Sequence, residues 1–171
     1  MEKGYVHVYT GDGKGKTTAA LGLSLRAICA GKKVFFGQFV KGMDYSELKA
    51  VEYLPNFTIK QFGKDCFIFN DPTDEDINIA RNGLKKMGEI LTKGEYDLVV
   101  MDEVNIALYY HLFSVQDVLK IIDGRAEHVE VVCTGRKAPK ELIDRADLVT
   151  EMKEIKHYYT KGVQAREGIE K

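Results

Sequence analysis

Near its N-terminus the chain reads Thr10-Gly11-Asp12-Gly13-Lys14-Gly15-Lys16-Thr17-Thr18, between a β-rich run at residues 5–9 and helix formers at residues 17–30. The glycines let the backbone turn its N–H groups toward phosphate oxygens. The following helix adds the positive end of its dipole, and Lys16 adds a point charge. The Thr17 hydroxyl is an oxygen ligand of the kind that Mg²⁺ prefers. Residues 10–18 therefore predict a site for nucleotide phosphates.

The spacing of this loop departs from the pattern G-x-x-x-x-G-K-[ST]. Counted back from Gly15, the first glycine of the pattern falls on Thr10, and the glycine itself stands one place later, at Gly11. A strict search for the pattern would miss the loop. The chemistry is nevertheless complete, and the alternative is a glycine-rich turn that only joins a strand to a helix.

Strand-like and helix-like segments alternate along the rest of the chain. Strands are predicted at residues 34–40, 57–62, 98–101, 130–133 and 148–152, and helices at residues 47–54, 73–93, after Ser114 and at 139–145. Such alternation is typical of βαβ units. We therefore expect an α/β fold with a mainly parallel β-sheet flanked by helices, P-loop NTPase-like (RecA-like), as a single domain over residues 1–171.

Charged residues follow two of the predicted strands, where ligands bind in such sheets. Asp102 and Glu103 end one strand, and a carboxylate there can hold Mg²⁺ directly or through water. The sequence alone does not divide that role between the two acids. Arg136 follows another strand and can meet phosphate with its planar fork, although a surface arginine fits the spacing nearly as well.

The composition excludes several classes of protein. The chain has 171 residues with 25 Lys and Arg against 26 Asp and Glu, so it lacks the basic excess of a general nucleic-acid binder. Its three cysteines are far apart, which argues against a secreted disulfide framework. No apolar run approaches the roughly 20 residues of a membrane span. We expect a cytoplasmic protein that binds neither nucleic acid nor membrane.

Taken together, the motifs resemble those of the ATP:corrinoid adenosyltransferases of the CobA, BtuR or CobO type. The match covers the phosphate loop within residues 9–20, then Gln38-Phe39-Val40-Lys41-Gly42 with Glu47, and Met101-Asp102-Glu103. It continues through residues 134–152, Lys156-His157 and residues 162–170. The last part is the most specific, and the match covers nearly the whole chain.

The resemblance implies transfer of the 5′-deoxyadenosyl group of ATP to the Co(I) of a reduced corrinoid, with release of triphosphate. Lys16, Glu103 and Arg136 would then be the catalytic residues that neutralise the leaving group. Thr17 and Glu103 would hold Mg²⁺ or Mn²⁺. The partners implied are ATP, the corrinoid, a flavodoxin-like reductase and a second copy of the chain in a homodimer.

Three departures from the family accompany this resemblance. The family usually has an aromatic pair, Phe-x-Trp, near the corrinoid. In this chain Phe67 and Phe69 look like the corresponding residues, and the chain has no Trp. An N-terminal segment found in many relatives does not precede the first strand. Near the end, the usual Ala-Gln is Ala165-Arg166.

Two other functions remain open from the residues alone. A P-loop small-molecule kinase would need a general base, for which Asp102 is a candidate, and would release ADP. A non-catalytic module would bind ATP and turn nothing over. An ATP-driven nucleic-acid motor fits least well, because the chain has neither a basic surplus nor a second lobe.

Overall fold

A computed structural model of the protein describes residues 2–64 and 71–171. Six strands in this part of the chain form one sheet, in the order β3-β2-β4-β5-β1-β6, and every neighbouring pair is parallel. The strands are β1 (Val6–Thr10), β2 (Val34–Phe39), β3 (Phe57–Phe62), β4 (Leu98–Asp102), β5 (Glu130–Thr134) and β6 (Leu148–Glu151). The predicted parallel α/β sheet is confirmed.

Helices connect consecutive strands. They are α1 (Lys16–Cys29), α2 (Asp74–Lys93), α3 (Val104–Tyr109), α4 (Val115–Asp123) and α5 (Lys140–Arg145), with 3₁₀ helices at Ser46–Glu52 and Tyr158–Lys161. The helix expected at residues 47–54 is thus a 3₁₀ helix, and α3 was not expected from the sequence. Thr73 and Ser114 each close a capping box at the start of α2 and α4, which fixes where these helices begin.

The sheet is covered on both faces. Along β4, Val99 and Met101 belong to one apolar cluster, and Leu98 and Val100 belong to another. Successive strand residues point to opposite faces, so a strand buried on both sides reads as an unbroken apolar run. The first cluster includes α2 and α4 residues and the second includes α1, which places these helices on opposite faces.

The strand order brings the predicted site residues to one edge. Because all strands are parallel, the ends of β1, β2, β4 and β5 meet at the same edge of the sheet. The phosphate loop follows β1, Asp102 ends β4, and Arg136 follows β5. Among the described residues, no helix is both long and apolar enough to cross a membrane.

Candidate active site

The phosphate loop turns sharply between β1 and α1. Gly11 and Gly15 have φ angles of 95° and 118°, in the left-handed region where a Cβ causes strain. A Cβ on Gly13 would lie 2.7 Å from the carbonyl oxygen of Met152, so the chain packs too closely there for any side chain. The displaced glycine of the sequence pattern is therefore the residue at which the turn begins. Thr10 ends β1 instead, and its hydroxyl accepts a hydrogen bond from the Ala138 N–H at 3.2 Å.

The side chain of Lys16 points back into the phosphate loop. Its ammonium donates hydrogen bonds to the carbonyl oxygens of Gly11 and Gly13, both at 2.7 Å, and the residue is buried. Burial first, and then the positive charge of Arg136, lower the pKa of Lys16. The ammonium is thus held over the loop by weak acceptors, and phosphate oxygens are stronger ones because they carry charge.

Asp102 is a fully buried acceptor at the end of β4. Its Oδ1 accepts from the hydroxyls of Thr17 at 2.8 Å and Thr134 at 2.6 Å. Its Oδ2 accepts from Lys41 Nζ at 2.8 Å and Gln38 Nε2 at 3.2 Å. The carboxylate therefore ties α1, β2 and β5 to β4 at the edge that carries the site.

Glu103 is the acid that faces the cavity. It has a left-handed φ of 58°, and its N–H donates to Thr134 Oγ1 at 3.0 Å. Burial, and then the negative charge of Asp102, raise the pKa of Glu103, while Lys41, Lys16 and Arg136 oppose that rise. Two adjacent acids thus have different surroundings: Asp102 is saturated by donors, and Glu103 is available to a ligand.

A cavity of about 640 Å³ opens over the phosphate loop. Its lining includes residues 13–18, Glu103, Arg136, Lys41 and Tyr45. This cavity brings together the three residues predicted as catalytic and residues 13–18 of the predicted loop. Thr10, Gly11 and Asp12 are not part of its lining. Phe67 and Phe69, predicted to contact the corrinoid, lie outside the described residues.

The C-terminal segment also lines this cavity. Lys14 Nζ donates to the Ile169 carbonyl at 2.9 Å, and Ser46 Oγ donates to the Lys171 carbonyl oxygen at 2.9 Å. Gly13 N–H donates to the Met152 carbonyl at 2.7 Å. The segment after β6 therefore closes over the loop, a contact that no local pattern in the sequence indicated.

The family model described as ATP:corrinoid adenosyltransferase BtuR/CobO/CobP matches residues 2–170. The chain belongs to this family. The resemblance inferred from the motifs is confirmed, and with it the assignment of the chain to a family of enzymes.

Curated corrinoid adenosyltransferases are similar over nearly all of the chain. The protein from a Sinorhizobium species is 36% identical, and the match covers 99% of this chain and 81% of that protein. The CobA protein of Salmonella typhimurium is 33% identical, with 99% and 86% covered. The enzyme of Pseudomonas aeruginosa is 34% identical, with 99% and 84% covered.

The oxygen atoms beside Thr17 suit the divalent cation expected for an ATP:corrinoid adenosyltransferase. The Thr17 hydroxyl and the Glu103 carboxylate line the same cavity and are hard donors. Mg²⁺ binds through one or two carboxylates together with substrate phosphates. Within residues 2–64 and 71–171, no group of three or more His, Cys, Asp or Glu side chains could hold a metal ion. The donors present therefore fit a cation that shares its ligands with the triphosphate.

Sequence reasoning missed several polar residues of this site. Gln38 and Lys41 both bond to Asp102, and Thr134 bridges Asp102 to Glu103. A signal existed for the first two, because they belong to the stretch of residues 38–42 through which the chain resembles the adenosyltransferase family. No local signal marked Thr134, which is an ordinary strand residue.

Proposed function

We propose that this protein transfers the 5′-deoxyadenosyl group of ATP to the cobalt of a reduced corrinoid in the cavity above the phosphate loop. The Co(I) electron pair forms the new bond to C5′, and the C5′–O5′ bond breaks. Triphosphate leaves with the electron pair of the broken bond. The observation that carries the proposal is the convergence of Lys16, Glu103 and Arg136 on one cavity in a chain of this family.

The protein's own contribution would be positioning and charge stabilisation, because the nucleophile belongs to the corrinoid. Lys16 and the loop N–H groups would bind the triphosphate, and Arg136 would add a second positive charge at the cavity wall. Thr17 and Glu103 would hold Mg²⁺ or Mn²⁺, with Asp102 orienting the Thr17 hydroxyl. A bound divalent cation would neutralise charge on the triphosphate as it leaves.

The environment of Asp102 argues against phosphoryl transfer. A kinase needs a general base that can reach a substrate hydroxyl. Asp102, the candidate base, is fully buried and already accepts four hydrogen bonds. This observation removes the one feature that favoured a small-molecule kinase.

The decisive experiment mixes the protein anaerobically with Mg-ATP and chemically reduced cobalamin. We expect a light-sensitive adenosylcobalamin spectrum and one free triphosphate for each cobalamin converted. ADP formation without an organocobalt product would overturn the proposal, as would ATP binding without any product.

Two lysine variants test whether the phosphate loop is needed for ATP binding and turnover. Lys16→Ala should weaken ATP binding and reduce turnover strongly, since it removes a buried charge from the phosphate site. Lys140→Ala, on the exposed face of α5, removes the same charge and should leave both unchanged. Wild-type activity in Lys16→Ala would exclude the phosphate loop from the mechanism.

Phe67 and Phe69 are proposed to contact the corrinoid. Lys64 is the last described residue before them, and its backbone lies too close to Gly42 for that glycine to carry a Cβ. Lys64 therefore lies beside Gly42, next to Lys41 of the cavity wall. Phe69→Ala should impair use of the corrinoid and spare ATP affinity. A selective loss of ATP affinity would contradict this assignment.

Family membership also supports a homodimer and an electron-donating, flavodoxin-like reductase as the source of Co(I). Size-exclusion chromatography with light scattering tests the first, and cobalamin adenosylation driven by reduced flavodoxin instead of a chemical reductant tests the second. A monomer at working concentration, or no product with the protein reductant, would remove the corresponding partner. Fractionation of cells tests the proposed cytoplasmic location.

A further inference from the structure

Lys41 places a positive charge beside the proposed metal ligands. Its Nζ lies 2.8 Å from Asp102 Oδ2 and 3.4 Å from Thr17 Oγ1. Only 14% of the Lys41 side chain is exposed, and the Asp102 side chain is not exposed at all. The ammonium therefore lies against the Thr17 hydroxyl, a proposed metal ligand, and against the carboxylate that orients this hydroxyl.

The backbone directs Lys41 into this position. Val40 has a φ of 60°, which is strained for a β-branched residue, and this turn ends β2 directly before Lys41. Strain of this kind persists where the surrounding structure enforces it, and it gathers at functional sites. The Tyr45 ring, with its centroid 5.1 Å from Nζ, packs against the ammonium.

The charges around Lys41 keep it protonated. Burial by itself would lower its pKa, and the charge and hydrogen bond of Asp102 oppose this effect of burial. The charges of Glu103 and Glu47 also oppose it, and the net result is a raised pKa for Lys41. Three carboxylates thus interact with a monovalent cation at the place where we propose a divalent one.

We propose that Lys41 competes with the divalent cation. Its ammonium donates to the Thr17 oxygen and to Asp102 in the absence of metal, and metal-ATP displaces it toward the triphosphate. This inference rests on the proposed function, because it takes the metal to bind beside Thr17. Mg²⁺ lies only about 2.0–2.1 Å from its ligands. A metal on the Thr17 oxygen therefore competes with the ammonium that donates to the same oxygen.

The competition would make metal binding depend on the nucleotide. Metal alone must break the ion pair of Lys41 with Asp102 and brings no new anion for the ammonium. Metal with triphosphate offers the displaced ammonium new anionic oxygens, because Lys41 lines the same cavity as Lys16 and Arg136. The site would therefore accept the metal as a complex with ATP and resist free metal.

The first test measures Mn²⁺ affinity without nucleotide, by electron paramagnetic resonance. A cation within about 4–6 Å changes the proton affinity of a carboxylate by roughly 1–3 pKa units, so its removal should strengthen Mn²⁺ binding at least about tenfold. We expect this gain in Lys41→Met and in Lys41→Gln, whose amide can still donate to Asp102. Lys41→Arg keeps the charge and should bind Mn²⁺ like the wild type. Lys86→Met, which removes an exposed charge on α2, is the matched control and should also be unchanged.

The second test repeats the titration with Mn²⁺-tripolyphosphate. Here Lys41→Met should bind the complex about tenfold more weakly, because a charge-assisted hydrogen bond to the triphosphate is lost. Opposite changes in the two titrations distinguish competition from a general loss of structure. A damaged site would weaken both.

The outcomes separate this inference from the proposed function. Thr17→Val should weaken binding of Mn²⁺-tripolyphosphate if the metal lies beside Thr17, and no effect would overturn both the metal site and the role of Lys41. A clear effect of Thr17→Val, with unchanged or weaker Mn²⁺ binding in both neutral Lys41 variants, would overturn the competition alone. Unchanged tripolyphosphate binding in those variants would overturn the displacement toward the triphosphate.

Discussion

Replacing Asp102 with Asn should destabilise the protein even in the absence of substrates. Each carboxylate oxygen of Asp102 accepts two hydrogen bonds, from the Thr17 and Thr134 hydroxyls on one side and from Lys41 and Gln38 on the other. Asparagine has one carbonyl oxygen, so its NH₂ group must face two donors in either orientation. The hydroxyls can rotate to accept from an amide, and we therefore expect the NH₂ group to face them and the carbonyl oxygen to face Lys41. Lys41 loses its charged partner in either orientation.

The magnitude follows from what is lost. Breaking a buried ion pair by removing one partner costs about 3–5 kcal/mol. Lys41 retains 14% exposure and can turn toward the cavity, which lowers the cost to about 3 kcal/mol, near the bottom of the range for such pairs. For a domain of this size that corresponds to a fall of roughly 6–12 °C in Tm.

The assay is urea and thermal unfolding followed by circular dichroism, without nucleotide or metal. Asp144→Asn, which breaks an exposed pair with Lys140, should cost less than about 0.5 kcal/mol and serves as the control. Adding Lys41→Met to Asp102→Asn should restore part of the loss, with a coupling of about 1 kcal/mol or more in the double-mutant cycle. A loss below about 1 kcal/mol in Asp102→Asn, or no coupling to Lys41, would refute the reasoning, since directly bonded residues normally couple.

Three further changes test other parts of the structure. Gly13→Ala should abolish tight ATP binding, because the new Cβ would lie 2.7 Å from the Met152 carbonyl oxygen; calorimetry that shows wild-type affinity would contradict the loop geometry. Thr73→Ala removes the side chain that closes the capping box of α2 and should cost about 1 kcal/mol in urea unfolding, whereas Thr73→Ser should cost little. The pKa of the Cys133 thiol is raised to about 12 by full burial, so it should resist thiol reagents in the native state while Cys29, which is exposed, reacts; rapid labelling of Cys133 in folded protein, identified by mass spectrometry, would contradict that burial.

The sequence predicted the elements whose signals are local. The strand over residues 57–62 lies between Pro55 and Gly63, and its bounds are those of β3. The helix over residues 73–93 has its cap at Thr73 and its stop at Gly94, as α2 does. The phosphate loop combined glycines, a lysine and a helix start within nine residues. Each of these signals could be interpreted without knowing what the rest of the chain contacts.

The features that escaped prediction depend on distant parts of the chain or on unusual backbone. Lys41 meets Asp102 from 61 residues away in sequence, and Lys14 meets Ile169 from 155 residues away. Helix α3 begins directly after Glu103, whose backbone has a left-handed conformation. Glutamate rarely adopts this conformation, and no neighbouring residue in the sequence indicates it. The division of roles between Asp102 and Glu103 stayed open for the same reason, because it depends on the donors that surround each acid.

The pairing of β6 with β1 has a consequence for how the chain folds. Strand β6 lies at the sheet edge beside β1, and directly after it the Met152 carbonyl accepts from the Gly13 N–H of the phosphate loop. The loop is synthesised early and β6 late, and contacts between such distant segments form slowly because closing the long intervening chain costs entropy. Until β6 has been synthesised, the loop therefore lacks a bond that fixes its shape. Nucleotide capture should follow the addition of β6 to the sheet, and it can serve as a reporter of that step.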